Sequence, residues 1–375
     1  MTIGILKEIT DENRVAMLPE SVSTLVKMNV AVLVESGAGA AAFASDADYE
    51  KAGAQVAKKA EVIAQSDVVI KIQPPTSEET ALLKDGQVLL AVLNPYFNTT
   101  QVKELAAKNV TTFSMDVVPR TTRAQAMDIL SSMATVAGYK AVLTAANTLP
   151  KFFPMFMTAA GTIKPANLLI LGAGVAGLQA IATSRKLGAV VYVFDVRAAV
   201  KEEVMGLGGK FVEVEGATDD KSAGGYAVEQ TEEFKIRQAK AIHDQAVKSD
   251  VVICTAQIPG KKAPVLLKKE TVEAMTPGSV VIDLAASTGG NCELTKNNET
   301  VVHNGVKIIG NSQLPTEMPT DASRMFGKNL INFLKLIITK DGALNLNWED
   351  DIVKGTAVTH GKEIVHERVK TVINS

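Results

Sequence analysis

The sequence predicts two doubly wound α/β domains joined by two long helices, and three observations carry that expectation. Short β-branched runs alternate with helical stretches through the first third of the chain. The same alternation resumes after residue 167, and a long helical stretch follows each block. Strands alternating with helices build βαβ units and a mostly parallel sheet. The 375 residues are enough for two or three domains with a large core.

Taken in order, the first block offers strands at 3–6, 30–34, 68–72, 88–93 and 110–113, with helices at 19–27 and 100–108. After Asp116 the alternation stops. Residues 121 to about 147 read as one long helix rich in Ala, Met and Leu, capped by Thr121 or Thr122 and ended before Pro150. The second block offers six strands, at 168–171, 190–194, 211–214, 251–255, 280–284 and 306–309, enough for a second doubly wound sheet. A second long helix follows at about 322–339, where Met325, Phe326, Leu330, Phe333, Leu334 and Ile337 recur at helical spacing. The tail, 344–369, reads as a small hairpin or loop addition. Two long connecting helices mean two crossings, which gives one domain of 1–132 plus 318–375 and a second of 133–317. The cleft at the carboxyl ends of both sets of strands is the default ligand site. Residues 215–233, glycine-bearing and without hydrophobic period, read as a mobile loop.

Composition removes several classes of function. With 39 basic and 41 acidic residues the net charge is −2, and aromatics are only 5%. That balance offers neither a basic face for phosphates nor a stacking platform, so nucleic acid is not an expected partner. No run approaches the roughly 20 apolar residues of a membrane span, the nearest being 167–182, and the first residues lack a signal-peptide pattern. Cys254 and Cys292 form no disulfide framework, and neither they nor the four histidines stand at metal-ligand spacing. The expectation is a soluble intracellular protein that handles a cofactor or small molecule and holds no metal.

One motif carries chemistry. The strand ending at Leu171 runs into Gly172-Ala-Gly174-Val175-Ala-Gly177, which opens a helix ending at Gly188, and the next strand delivers Asp195. Gly172 permits a tight turn, Gly174 lets backbone approach a pyrophosphate, and Gly177 allows close helix–strand contact. The helix N-terminus supplies N–H groups and partial positive charge. Asp195 can accept both ribose hydroxyls and would repel a 2′-phosphate, which favours NAD over NADP; Arg197 stands two residues further on. In this strand–turn–helix–strand–Asp setting the motif reads as a Rossmann-type dinucleotide site. The alternative role for Asp195 is to cap a helix starting at Ala198.

A similar run, Gly37-Ala-Gly39-Ala-Ala-Ala42, follows the strand at 30–34, but the residues after it show no helix-opening pattern and no strand ending in an acid, so it reads as a structural turn. In the segment 119–132, Gln125, Asp128 and Ser131 or Ser132 repeat at three to four residues behind Arg120, a polar stripe on one helical face. It is either inset in a packed helix or a solvated face with an Arg–Asp pair. Arg14 and Lys71, near strand ends, are either anion ligands or ion-pair partners. The Gly-rich loop 287–292 follows the strand at 280–284.

The runs Arg-Ala-Gln-Ala-Met-Asp-Ile-Leu-Ser-Ser (123–132), Ala-Gly-Tyr (137–139) and Leu-Gly-Ala-Gly-Val-Ala-Gly-Leu-Gln-Ala (171–180) resemble the NAD(H)-binding component of proton-translocating nicotinamide nucleotide transhydrogenase. Gly-Gly-Tyr (224–226), Ile-Pro-Gly-Lys (258–261), Ile-Asp-Leu-Ala (282–285) and Gly-Gly-Asn-Cys (289–292) resemble it too, so the likeness covers almost the whole chain. The wider superfamily includes alanine dehydrogenase, which shares the opening Lys-Glu-Ile…Arg-Val-Ala pattern (7–9, 14–16) and Lys71. Where that enzyme has a catalytic His this chain has Asn94, and where it has a catalytic Asp this chain has Ser287. Neither exchanges protons near neutral pH, as reductive amination requires. Moving a hydride between two nicotinamides needs position alone.

The resemblance implies NAD(H) on this chain and NADP(H) on a partner component, with a separate membrane-spanning component coupling transfer to proton movement. It implies that Gly172, Gly174, Val175, Gly177, Asp195, Val196 and Arg197 hold the adenosine end, and that Gly225 and Tyr226 belong to a closing loop with Gln238 and Gln257 nearby. Gln257 stands where the family mostly has Leu. Arg120, Gln125, Asp128 and Ser131 would hold the nicotinamide end, while Arg14 and Lys71 would be inherited and idle. A homodimer peripheral to a membrane complex, on its cytoplasmic or matrix side, is implied as well. The rival readings are a free-standing amino-acid dehydrogenase and a non-enzymatic NAD sensor.

Overall fold

The computed structural model describes residues 1–216, 230–257 and 260–374, and it divides into two units, residues 1–133 with 316–375 and residues 134–315. In chain order the first unit begins β1 (Thr2–Ile5), α1 (Pro19–Val26), β2 (Ala31–Glu35), α2 (Asp46–Lys51), β3 (Gln55–Ala57), α3 (Lys59–Gln65), β4 (Val68–Ile70), α4 (Ser77–Leu82), β5 (Val88–Ala91), α5 (Thr99–Ala107) and β6 (Thr111–Ser114). The chain leaves it along α6 (Ile129–Thr148). The second unit holds the hairpin β7 (Phe156–Thr158) and β8 (Gly161–Ile163), then β9 (Asn167–Leu171), α7 (Val175–Lys186), β10 (Val190–Phe194), α8 (Lys201–Gly206), β11 (Lys210–Phe211), α9 (Glu232–Ala246), β12 (Val251–Cys254), α10 (Lys269–Ala274), β13 (Val280–Asp283), β14 (Thr300–His303) and β15 (Val306–Ile309). The chain returns to the first unit through α11 (Pro319–Ile337), α12 (Asp351–Thr356), β16 (Ala357–His360), β17 (Glu363–Ile364) and α13 (Glu367–Asn374).

The first unit's sheet has eight strands in the order β17-β16-β6-β5-β4-β1-β2-β3, parallel from β6 to β3. The tail holds the expected hairpin, and that hairpin joins the sheet. β16 pairs antiparallel with β6, and β17 pairs with β16, so the end of the chain extends the sheet. The strand period of two sends alternate residues to opposite faces: Val68, Ile70, Val88 and Leu90 enter one core, while Val69, Leu89 and Ala91 enter the other. α11 covers the first of these with Phe326, Leu330, Phe333, Leu334 and Ile337. Each such buried side chain stabilises by about 1.5–3 kcal/mol relative to exposure.

The second unit's sheet runs β11-β10-β9-β12-β13-β15-β14, all parallel except β14. It has seven strands where the sequence pattern offers six, because the short edge strand β14 carries only a partly buried pattern. Leu168 and Ile170 face one core and Leu169 and Leu171 the other. The strand order turns at β9, which lies between β10 and β12. Residues 232–233 open α9, with the Thr231 hydroxyl accepting from Phe234 N, so the expected loop ends earlier than 233; most of its length lies outside the described residues.

The single helix expected over 121–147 is two pieces. Residues Thr122–Met127 form a 3-10 turn, Asp128 is extended (φ −74°, ψ 93°), and α6 starts after it. A carboxylate that bonds nearby backbone competes with helix propagation, which makes this residue a start signal for the second piece. By length and composition α6 could cross a membrane, the one such helix among the described residues, so it and not 167–182 is the nearest candidate. It sends Ala141, Val142 and Ala145 into the second unit's core.

Candidate functional site

The glycine motif sits at the carboxyl end of β9, where the strand order turns. Gly172 has φ +105°, a conformation open to glycine, and its N–H donates to Phe194 O at 2.8 Å. A Cβ on Gly172 would lie 2.6 Å from Thr255 Oγ1, whose hydroxyl donates to Gly172 O at 2.9 Å. A Cβ on Gly177 would lie 2.0 Å from Gly172 O, so helix and turn are in direct contact there. Gly174 is different. Among the described residues, a Cβ on it would meet nothing within 4 Å, and none of their side chains caps the N-terminus of α7 that it opens. Two of the glycines are therefore required by the protein's own packing and the third leaves room beside uncapped N–H groups, which is the provision a pyrophosphate needs. Gly138 of α6 completes the packing, because a Cβ there would come 2.2 Å from Ala176 O.

Asp195 follows β10 and takes Ala173 N on Oδ2 at 2.7 Å and Arg197 N on Oδ1 at 2.9 Å. It also holds the Arg197 guanidinium, with Nε on Oδ1 at 2.9 Å and Nη2 on Oδ2 at 2.7 Å. Arg197 is thus a partner of Asp195 rather than a bystander beyond the strand end. The turn at Ala198 has no side-chain cap, so Asp195 does not serve that role. Val196 is half-buried against the core.

Sequence reasoning missed the loop organiser of this unit. Asp283, fully buried at the end of β13, accepts from Ala285 N, Asn291 N, Cys292 N and Thr295 Oγ1. Burial pushes its carboxyl up in spite of those bonds. Asn291, also buried, binds Ala256 N and O and Pro264 O, so one amide pins two strand-end loops. The sequence signals were the runs 282–285 and 289–292, which contain both residues without revealing this role, and the Gly289-Gly290 pair (φ +105° and +80°). Gln257 bonds Thr288 Oγ1 at 3.1 Å, Ser287 is exposed, and Gln238 is half-buried on α9. Gly225 and Tyr226 lie outside the described residues.

In the first unit the expected polar stripe is not one helical face. Gln125 is exposed on the 3-10 turn, and Asp128 caps α6, accepting from Ser131 N at 2.9 Å and Ser131 Oγ at 2.6 Å. The segment is tied down at two further points. Asn329 and Asn332 of α11 both donate to Ala126 O, at 2.9 and 3.0 Å. Arg123 grips Asp350 with two bonds, at 2.7 and 2.8 Å, and also reaches Asp351. The Arg–Asp pair therefore links this segment to α12 and leaves Asp128 for capping. Arg120 is exposed just ahead of the turn.

The choice left open for Arg14 and Lys71 falls on ion pairing. Lys71, fully buried, donates to Glu79 at 2.6 Å, and Arg14 binds both oxygens of Glu12 at 2.7 and 2.6 Å. Between them Glu8 accepts from Ile72 N and Gln73 N, and burial pushes its pKa up to about 7, against the pull of Lys71. The Gly37–Ala42 run is a turn, with Asp46 bonded to Ser36 Oγ and Gly37 N and the Tyr49 ring 2.6 Å from where a Gly39 Cβ would lie. Contrary to the sequence reading, a helix does open after it. Ser45 and Asp48 form a capping box, and β3 follows.

Residues 4–137 match the family model for the alanine dehydrogenase/PNT N-terminal domain, and residues 141–367 match its C-terminal domain. The chain belongs to the alanine dehydrogenase/PNT family. Among family members it is 48% identical over 376 residues to an NAD(P) transhydrogenase subunit alpha protein of Rhodospirillum rubrum, covering 98% of each chain. It is 44% identical to the NAD(P) transhydrogenase subunit alpha of Haemophilus influenzae, covering 97% of this chain and 72% of that one. The alanine dehydrogenase of Methanococcus maripaludis is 28% identical over 98% of this chain. Among solved structures, a transhydrogenase from Sinorhizobium meliloti superposes with a TM-score of 0.90 at 42% identity over 97% of this chain and 100% of that one. An L-alanine dehydrogenase superposes at 0.82 and 26%, over 100% and 99%. In this family the chain is of the transhydrogenase alpha-subunit type, and its fold is the two-domain Rossmann-like α/β fold expected from the sequence.

Proposed function

We propose that this chain is the NAD(H)-binding component of a proton-translocating transhydrogenase, and that hydride passes from NADH to NADP+ held on a partner component. The observation that carries the reading is the division of labour in the glycine motif. Gly172 and Gly177 are filled by the protein's own atoms, whereas among the described residues Gly174 opens onto free space at a helix N-terminus that no side chain caps. Bound there, NADH supplies the hydride. Gly172 to Gly177 would seat the pyrophosphate, with Val175 at the first turn of α7. Asp195, Val196 and Arg197 would face the adenosine ribose, with Gln238, Gln257, Gly225 and Tyr226 completing that end. Arg120, Gln125, Asp128 and Ser131 are assigned to the nicotinamide end.

Acid–base chemistry is absent from this assignment for a physical reason. Asn94, at φ +49° after β5, and the exposed Ser287 have no titrating group near neutral pH. The carboxylate on the Ser287 loop, Asp283, is buried and committed to four donors. Hydride transfer between nicotinamides moves no proton, so position and exclusion of water suffice.

A homodimer on the cytoplasmic or matrix side of a membrane-spanning component belongs to the same reading. Its support is the β7–β8 hairpin and the segment leading into it, where Phe152, Met155, Phe156, Met157 and Ile163 are exposed, Met157 at 77%. An apolar patch of that kind marks an association surface. Met157→Asp should shift the purified chain toward monomer by light scattering; an unchanged mass would put the dimer contact elsewhere.

The deciding experiment follows absorbance at 340 nm with the purified chain, NADH, pyruvate and ammonium, and then with the NADP(H)-binding partner component and NADP+ analogue in their place. NADH loss in the first mixture would make this an alanine dehydrogenase. Tight NADH binding with no turnover in either would make it a sensor. Turnover in the second mixture alone is the expected result.

A further inference from the structure

The carboxylate of Asp195 has no acceptor site to spare. Oδ1 takes Arg197 N and Arg197 Nε, and Oδ2 takes Ala173 N and Arg197 Nη2. A carboxylate offers about four acceptor sites in all. Two of these bonds come from backbone N–H groups fixed by the turns on either side. The other two come from one guanidinium, on a side chain that is 20% exposed while that of Asp195 is 6% exposed. If the guanidinium leaves, each oxygen keeps one backbone bond and regains one free acceptor site. The vicinal hydroxyls of a ribose would fill those two sites, one on each oxygen.

We propose that Arg197 is a specificity-determining residue that occupies the diol site on Asp195 and must be displaced when the ribose of NAD(H) binds. The proposal rests on the reading that the dinucleotide lies over the 172–177 turn. It changes how Asp195 selects its cofactor. While paired, Asp195 presents little net charge, so its repulsion of a 2′-phosphate is muted and its hydroxyl acceptors are blocked. Recognition of NAD(H) then becomes an exchange of a charge-assisted fork for two hydroxyl bonds, which is weaker than adding two bonds to an empty carboxylate. Rapid release of spent nucleotide follows from the same exchange, because the guanidinium competes to return.

The test measures NADH and NADPH dissociation constants by nucleotide fluorescence for the full chain, with thermal melting to verify folding. Arg197→Ala should bind NADH about two- to tenfold more tightly, the range expected for releasing one partly exposed ion pair. It should bind NADPH more weakly, since an unshielded Asp195 then faces the 2′-phosphate. Arg197→Lys, with charge but no fork, should fall between it and the parent. Added salt should tighten NADH binding to the parent and not to Arg197→Ala. Weaker or unchanged NADH binding by Arg197→Ala would overturn the proposal, because the guanidinium would then be a contact or a spectator. Asp195→Asn separates the two levels: if it leaves NADH affinity unchanged, the underlying site assignment fails, whereas weakened binding with no gain in Arg197→Ala removes the Arg197 proposal alone.

Discussion

Asp128 and Ser131 are doubly hydrogen-bonded, the serine giving both its backbone N–H and its hydroxyl to one carboxylate, at 2.9 and 2.6 Å. The pair starts α6, so a substitution here changes helix stability before it changes any chemistry. Asp128→Ala should cost about 0.5–2 kcal/mol in denaturant unfolding, and Asp128→Ser, which keeps a capping oxygen, should recover most of it. If Asp128→Ser folds like the parent but transfers hydride slowly with the partner component, the carboxylate has a role beyond the cap.

The glycines of the motif should separate binding from folding. Gly174→Ala places its methyl in open space and should melt like the parent while binding NADH much more weakly. Gly177→Ala drives a methyl to 2.0 Å from a backbone oxygen and should lose roughly 1–3 kcal/mol or more of stability. Equal effects of the two on melting would mean that Gly174 is packed, contrary to its surroundings.

Stability should depend on pH through Glu8. Its pKa stands at about 7 in the fold against an ordinary 4.5, so between those values the folded chain holds a proton that the unfolded chain has released. Stability therefore falls as pH rises from about 4.5 to about 7. Glu12 and Glu79 act in the opposite sense. Burial raises both, but bonds from Arg14 to Glu12 and from Lys71, Thr76 N and Lys59 to Glu79 win and hold them below the ordinary value. Their contribution is lost as pH falls below about 4.5. Urea unfolding at several pH values should show the first slope in the parent and a flatter one in Glu8→Gln; an identical slope would place the proton on another group.

Asn329 and Asn332 should matter to transfer without touching cofactor. Both hold Ala126 O, one residue from Gln125. Replacing both by Ala frees that carbonyl and should slow hydride transfer in the assembled system more than it weakens NADH binding. No loss in either would mean that Arg123 and Asp350 suffice to hold the turn, and a matching loss in both would mean that the asparagines support binding as much as transfer.

The sequence was most readable where period and chemistry agree. Short β-branched runs such as Val251–Cys254, bounded by turn residues, favour central parallel strands, and the glycine motif announces its turn through its spacing between a strand and a helix. It was least readable where one residue decides a break. Asp128 fits a helical stripe as well as it fits a cap, and only the Ser131 bonds choose between them. The Asp195–Arg197 pair was invisible for another reason: two residues apart after a strand end, the side chains could point anywhere, and the turn brings them together. The hairpin of the tail was legible as β16 and β17, but its pairing with β6 was not, because a short strand far along the chain gains its partner from a sheet laid down at the other end.

That last pairing sets an order of events for the nascent polypeptide. β6 emerges from the ribosome early, and its outer edge stays open while the whole 134–315 unit is made and folded. Only when Ala357–His360 clears the exit tunnel can the edge be closed. An open edge invites pairing with another chain, so a product that stops before Ala357 would leave β6 open and be prone to aggregate.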